Sequence, residues 1–306
     1  MRKKRLIIIV SVLIIALIGV YYLLDTEINE LDNNEREKLG GTYIKLSAGY
    51  THYKLTGNKN NKLIVLVHGG TIPMFTWTKQ IPFLNNAGYQ VLIYDAYGRG
   101  FSDRPDVVYN QDLYKRQLFE LVNKLGFTKK FDLVGLSVGG GTAINFTAEY
   151  PEKVRKLILI SPLINNFKLP FVFKIPVIGE FIARIAGIKT ITKRFLALIA
   201  NDSNKKKYTE KFVKQTGYKG FQKSLLSMLR NDAVKDYTGA YKTVGKQNRQ
   251  ILLIWGKDDT EITIEMIKKI RTLLPDIIFK PVDNAGHGVV FNKNEVVNDL
   301  MIDFLE

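Results

Sequence analysis

The sequence predicts an α/β fold: an eight-stranded, mostly parallel sheet with helices on both faces and a helical cap inserted between the sixth and seventh strands. Three observations carry this. From residue 42 onward, short β-branched runs alternate with helical patterns. The intervals between most runs are about as long as right-handed βαβ crossovers require. One interval, residues 163–246, is rich in helix-like apolar spacing but offers no convincing strand, so it reads as an insertion over the strand ends where open α/β sheets bind ligands.

Before the sheet, "MRKKRLIIIVSVLIIALIGVYYLLD" sets four basic residues ahead of an uncharged run over residues 6–24. As a helix this run is about 28 Å long, enough to span a bilayer core. A cleaved signal peptide is the alternative, but the run is long for one, no clear small-x-small site precedes Asp25, and Tyr21 and Tyr22 sit where an interfacial belt would. Residues 1–24 are therefore expected to be a cytoplasmic basic tip and transmembrane anchor. The bulk of the chain would face outward, because Arg2, Lys3, Lys4 and Arg5 precede the span while Asp25, Glu27 and Glu30 follow it. Residues 25–41 read as a polar stalk, 42–162 as the first part of a core domain, 163–246 as the cap and 247–306 as the rest of the core.

Within the core, "TYIKLS" and "THYKL" read as an opening antiparallel pair, followed by strands at "KLIVLV", "QVLIYD", "FDLVG", "KLILIS", "QILLIW" and "IIFKPV". Leu118, Leu121, Val122 and Leu125 share one helical face, as do Ile264, Ile267, Ile270 and Leu274. In the cap, Ile178, Phe181, Ile182, Ile185 and Ile188 form an apolar stripe. Net charge is +16, and residues 163–246 hold 17 Lys and Arg against 5 Asp and Glu, so most of the imbalance is local to the cap. A basic, apolar cap fits anionic lipid headgroups and an acyl chain, and nucleic acid is suggested by charge alone. The absence of cysteine excludes disulfides, thiolate catalysis and cysteine metal sites.

The chemistry is concentrated around "FDLVGLSVGGG", a strand followed by Gly135-Leu136-Ser137-Val138-Gly139 and a helix-compatible run. A serine becomes a nucleophile when a sharp strand-to-helix turn lifts its hydroxyl clear of the sheet, and small neighbours relieve the crowding there. Its weak hydroxyl needs a base. Of three histidines, His287 in "NAGHGVVF" is the only one beyond the serine and follows the last strand; His52 reads as a surface strand residue. The acid that would orient the imidazole comes from "ILLIWGKDDTEI", as Asp259 or, failing that, Asp258. "LIVLVHGG" closes the third strand, so the N–H of Gly70 and that of Val138 are the candidate oxyanion donors, with His68 shaping the loop.

In that order, "VLVHGG", "YDAYGRGFSDRP", "VGLSVGGG", "LLIWGKDD" and "NAGHG" resemble the α/β-hydrolase family over roughly residues 42–306, specifically its capped, esterase- and lipase-like serine hydrolase branch. The resemblance implies the α/β-hydrolase fold, matches Asp259 to the acid of the W-G-x-x-D pattern, and makes Asp95, Arg99 and Ser102 structural. "HGGTIP" departs from the H-G-G-P-G of proline-releasing peptidases, and a serine at 137 disfavours the relatives with an aspartate nucleophile. The expectation is a membrane-anchored hydrolase of carboxylic esters with an apolar acyl group, working through an acyl-enzyme without cofactor or metal. Amide or carbon–carbon bond hydrolysis on the same residues, and a non-catalytic binding protein that kept the fold, are the alternatives.

Overall fold

The computed structural model describes residues 2–165, 169–200 and 202–306, without the side chains at positions 2, 10, 13, 14, 17 and 18. Helix α1 (Arg2–Leu23) and helix α2 (Asn33–Leu39) precede strands β1 (Thr42–Lys45), β2 (Tyr50–Thr56) and β3 (Lys62–Val67). Helix α3 (Gln80–Asn86), β4 (Tyr89–Tyr94), α4 (Gln111–Lys124), β5 (Phe131–Leu136), α5 (Val138–Glu149) and β6 (Val154–Ile160) follow. Next come the helices α6 (Ile178–Ile182), α7 (Ile188–Leu198), α8 (Lys205–Thr216), α9 (Phe221–Arg230) and α10 (Thr238–Val244). The chain ends with β7 (Ile251–Gly256), α11 (Ile264–Leu273), β8 (Ile278–Val282), α12 (Val289–Asn292) and α13 (Asn294–Leu305).

The eight strands form one sheet in the order β1-β2-β4-β3-β5-β6-β7-β8. β1 and β2 pair antiparallel, β2 joins β4 antiparallel, and every pair from β4 to β8 is parallel. Period-two alternation divides each central strand between two buried layers. Val65, Leu133, Leu157, Leu159 and Leu253 face one cluster, while Ile64, Leu66, Val134, Ile158 and Ile254 face the other. Each such burial stabilises the fold by roughly 1.5–3 kcal/mol.

Strand order reverses at β3, which has β4 on one side and β5 on the other. The crevice beyond such a switch point is where this class of sheet takes a ligand. Val67 at the end of β3 lies beside Gly135 of β5, so the "HGG" loop and Ser137 leave the sheet as neighbours. Close approach there requires glycine. A Cβ at Gly135 would stand 2.7 Å from Gly140 Cα, and one at Gly139 would stand 2.8 Å from the Val67 carbonyl carbon.

Helix α1 is continuous over the expected anchor. Residues 6–24 include positions 10, 13, 14, 17 and 18, whose side chains lie outside the described residues; among the described residues, no helix is long and apolar enough to cross a membrane. The stretch 25–41, read as a polar stalk, folds back onto the body. Glu27 is buried and its carboxylate accepts from the N–H groups of Gly220 (2.8 Å) and Gln222 (2.5 Å) at the start of α9. Asp25 pairs with Arg184, Asn29 forms a bridge with Tyr218, and Arg36 reaches Asp103 at 2.5 Å. In the cap the apolar stripe is split by a π-turn at Ala183–Gly187 between α6 and α7, so its residues do not share one straight face. Phe167 and Lys168, at the entry to that stretch, lie outside the described residues.

The crowding between β3, β5 and α5 gives a direct test. Gly139→Ala is expected to cost at least about 1–3 kcal/mol, read as a lower urea midpoint. Gly239→Ala, in α10 with nothing within 4 Å of the added Cβ, is expected to be neutral or to gain up to about 1 kcal/mol.

Candidate active site

Ser137 stands between the end of β5 and the first residue of α5, with φ 55 and ψ −119. A non-glycine residue there is strained by about 1–3 kcal/mol, and it persists only when its surroundings over-determine it. Here the backbone is held on both sides. Ser137 N–H donates to Ile160 O (3.1 Å), and Ser137 O accepts from Gly140, Gly141 and Leu163 at 2.9–3.2 Å. The side chain makes no capping bond to its own helix, which leaves Oγ to face the loops beyond β7 and β8.

Those loops supply the other two candidates. His287 Nε2 lies 3.1 Å from Ser137 Oγ, and its Nδ1 lies 2.8 Å from Asp259 Oδ2. Asp259 is buried, and its other oxygen accepts from the N–H groups of Glu261 and Ile262, each at 2.9 Å. Burial by itself would raise the Asp259 carboxyl; the His287 ring and the Ile262 N–H outweigh it and hold the group below the usual carboxylate range. An ionised Asp259 fixes the proton on Nδ1 and leaves Nε2 to accept from the serine hydroxyl. Trp255 pins this loop by donating to Ile262 O at 2.7 Å. The fallback acid, Asp258, is exposed and does not take part in this row.

The oxyanion candidates are adjacent. Val138 opens α5, where the first N–H groups of a helix have no partner within it, and a Cβ on Gly70 would stand 3.0 Å from Val138 Cγ2. His68 sets the plane of the peptide that carries the Gly70 N–H, because its Nδ1 donates to Gly69 O (2.7 Å) across that same planar unit. The ring is fixed in turn by Ala96 N–H donating to Nε2 at 2.9 Å. Burial lowers the His68 pKa, and protonation would set an N–H against the Ala96 N–H. At the next peptide, Arg99 Nε donates to Gly70 O at 2.5 Å, and Arg99 also bonds Ser224 Oγ on the cap at 2.9 Å.

His52 departs from its reading as a surface strand residue. It is buried, with Nδ1 2.7 Å from Asp95 Oδ2, because the loop following β4 closes over β2. Asp95 also accepts from Met74 and Phe101 N–H, and Ser102 Oγ donates to Asp95 O. Asp95 and Ser102 thus brace one loop, and Arg99 extends from it to the "HGG" loop and the cap.

Two cap-facing residues carried no motif in the sequence. Arg194 from α7 makes a two-pronged ion pair with Glu261, whose Oε2 lies 3.5 Å from His287 Nε2. Arg194 and Leu198 wall a pocket of about 30 Å³ over Ser137 and His287, room for a water or two. Glu261 sits two residues after Asp259, but nothing in its spacing marks a partner on a distant helix. Behind α7 is a larger apolar cavity of about 220 Å³, lined by residues that include Phe173, Ile191, Leu225 and Leu229.

A family model described as alpha/beta hydrolase fold matches residues 62–294. Among curated relatives, a 2-hydroxy-6-oxononadienedioate/2-hydroxy-6-oxononatrienedioate hydrolase of Paraburkholderia phymatum is 28% identical, covering 87% of this chain and 92% of its own. Epoxide hydrolase 3 of Xenopus tropicalis is 25% identical over 83% of this chain and 74% of its own. Among solved structures, a thermophilic esterase from Thermogutta terrifontis superposes with a TM-score of 0.73 at 21% identity, covering 87% of this chain and 98% of that one.

The His68 geometry makes a prediction about acid. The folded chain keeps this ring neutral below the ordinary imidazole value of about 6.5 while the unfolded chain binds a proton there, so His68 lowers stability as pH falls through about 6.5. Nitrogen-15 NMR is expected to find His68 as the Nδ1–H tautomer from pH 7.5 to 5.5, with Tm declining over that range. A His68 resonance that titrates like a free imidazole contradicts the assignment.

Proposed function

The chain belongs to the α/β-hydrolase family, and on that premise we propose that it is a membrane-anchored serine hydrolase of carboxylic esters carrying an apolar acyl group. The observation that carries the reading is the hydrogen-bonded row from Ser137 Oγ through the His287 ring to Asp259. In this mechanism His287 Nε2 takes the hydroxyl proton as Ser137 Oγ attacks the ester carbonyl, and Asp259 stabilises the resulting imidazolium. The Gly70 and Val138 N–H groups receive the oxyanion, at roughly 3–4 kcal/mol of transition-state stabilisation per donor. Collapse expels the alcohol, which recovers its proton from His287. Water, activated by the same nitrogen, then releases the acid from Ser137.

The 220 Å³ cavity favours an apolar acyl group because its lining is almost wholly hydrocarbon. Helix α7 connects the two spaces, with Ile191 toward that cavity and Arg194 and Leu198 toward Ser137. The pocket at the serine is small, so substrate entry requires the Arg194–Glu261 pair to part. The same pair supports a second reading: an exposed guanidinium beside Ser137 suits a substrate carboxylate, as on the dioates named for the Paraburkholderia relative, and hydrolysis there would break a carbon–carbon bond. Membrane attachment is supported by the continuous helix α1 and its exposed Leu6, Ile7, Ile8, Ile9, Val12 and Ile15, apolar surface that water does not favour. With the basic residues ahead of the span, the catalytic body would be extracytoplasmic.

Purified full chain in mild detergent is expected to hydrolyse p-nitrophenyl octanoate faster than the acetate. Ser137→Ala should lose turnover by several orders of magnitude, and Asp259→Asn by about 10⁴-fold. Inertness toward esters with bleaching of a 2-hydroxy-6-oxo-dienoate chromophore would replace this reading by the second. For attachment, the chain is expected to stay with the membrane fraction through an alkaline carbonate wash; release into the wash contradicts an anchor.

A further inference from the structure

The end of α1 and the tip of the cap form one surface. Tyr21 stacks on Phe181 with ring centroids 6.4 Å apart, and Arg184 lies over the Tyr21 ring at 4.2 Å while pairing with Asp25. Tyr21 and Tyr22 line a groove together with Pro176, Val177, Ile178, Phe181 and Glu180, whose carboxylate is paired with Arg230. The tip is apolar and open to solvent, with Phe171 75% and Val177 78% exposed. Its inner side is tied to α9. Arg230 donates to Phe173 O (2.6 Å) and Ile175 O (3.3 Å) and pairs with Glu180, and a Cβ at Gly179 would run into that guanidinium at 2.5 Å. Val177 adopts φ 66, a conformation that a β-branched residue takes only under constraint, and its side chain points out of the protein. Lys174 within the tip is exposed, as are Lys189 and Lys193 further along on α7.

We propose that this tip, residues 171–181, docks on the lipid interface beside α1 and admits the substrate's acyl chain from the lipid phase rather than from water. The inference rests on the reading of α1 as an anchor. If α1 spans the bilayer, its terminal tyrosines lie at headgroup depth, and their contact with Phe181 brings the tip to the same level. Lys174 then meets anionic headgroups, while Phe171, Val177 and Ile178 enter the boundary below it. Phe173 of the same segment, together with Ala183, Ala186 and Gly187 of the turn that follows it, lines the 220 Å³ cavity. The π-turn at Ala183–Gly187 lies in this wall, and such turns are frequent at functional sites. A strained, exposed apolar tip backed by an apolar chamber fits a lipid surface as its occupant.

The test uses full-length chain reconstituted in phosphatidylcholine–phosphatidylglycerol vesicles, with and without acyl chains brominated near the headgroup. Trp77 and Trp255 are buried and give a constant background. Phe171→Trp is expected to show blue-shifted emission that the brominated lipid quenches beyond the wild-type loss. Leu23→Trp, at the exposed end of α1, reports on the anchor itself. If the indole at 23 is quenched and that at 171 answers only to aqueous acrylamide, the docking proposal is overturned while the anchor stands. If neither is quenched by lipid, both fail. Shielding of the indole at 171 from acrylamide without quenching by brominated lipid would indicate a protein partner and likewise overturns the proposal.

Discussion

The backbone of Ser137 is held where a serine does not choose to be, and the neighbouring structure can be read as the means of holding it. A positive φ at the end of a buried strand is tolerated because β6 supplies an acceptor, α5 and the loop after β6 supply donors, and Gly135 and Gly139 remove the carbon atoms that would collide. The strain costs about 1–3 kcal/mol. What it yields is an oxygen aimed away from its own helix and toward an imidazole that arrives from 150 residues later in the chain.

A second constraint comes from the loop after β4, which flanks β3 on the side away from β5. Asp95 gathers His52, Met74 and Phe101 into one buried loop, and from that loop Arg99 reaches Gly70 O while Ala96 N–H fixes His68. The two peptides that flank Gly70 are thereby each held by a buried side chain. These groups touch no substrate in the mechanism; their hydrogen bonds fix the orientation of the Gly70 N–H within a glycine loop, which is what preorganised oxyanion binding demands. Arg99 also bonds Ser224 on α9, so the donor loop and the cap share a buried cation.

Much of this was legible in the sequence because it is local. Eight β-branched runs became eight strands, and the family's motifs fell at their carboxyl ends. Ser137, His287 and Asp259 could be found from neighbours, elimination and loop position, and the structure brings them together. What local pattern could not convey were contacts between segments that carry no motif. His52 looked like a surface strand residue because nothing in "THYKL" announces a loop folding over it. Residues 25–41 looked like a free polar stalk, since the acids Asp25 and Glu27 give no sign that Arg184 and the start of α9 await them. Arg194 and Glu261 are ordinary surface charges until the cap brings one over the other. Asp25 and Glu27 thus tie the segment that follows α1 to the cap.

The central claim is that Ser137, activated by the His287–Asp259 pair, forms a covalent bond to the acyl group. Intact-mass spectrometry of the full chain after treatment with a fluorophosphonate, followed by peptide mapping, addresses this most directly. The account predicts one adduct per chain, on the peptide at Ser137, formed at a rate that collapses in His287→Ala. An unmodified chain, or an adduct on any other residue, would contradict it.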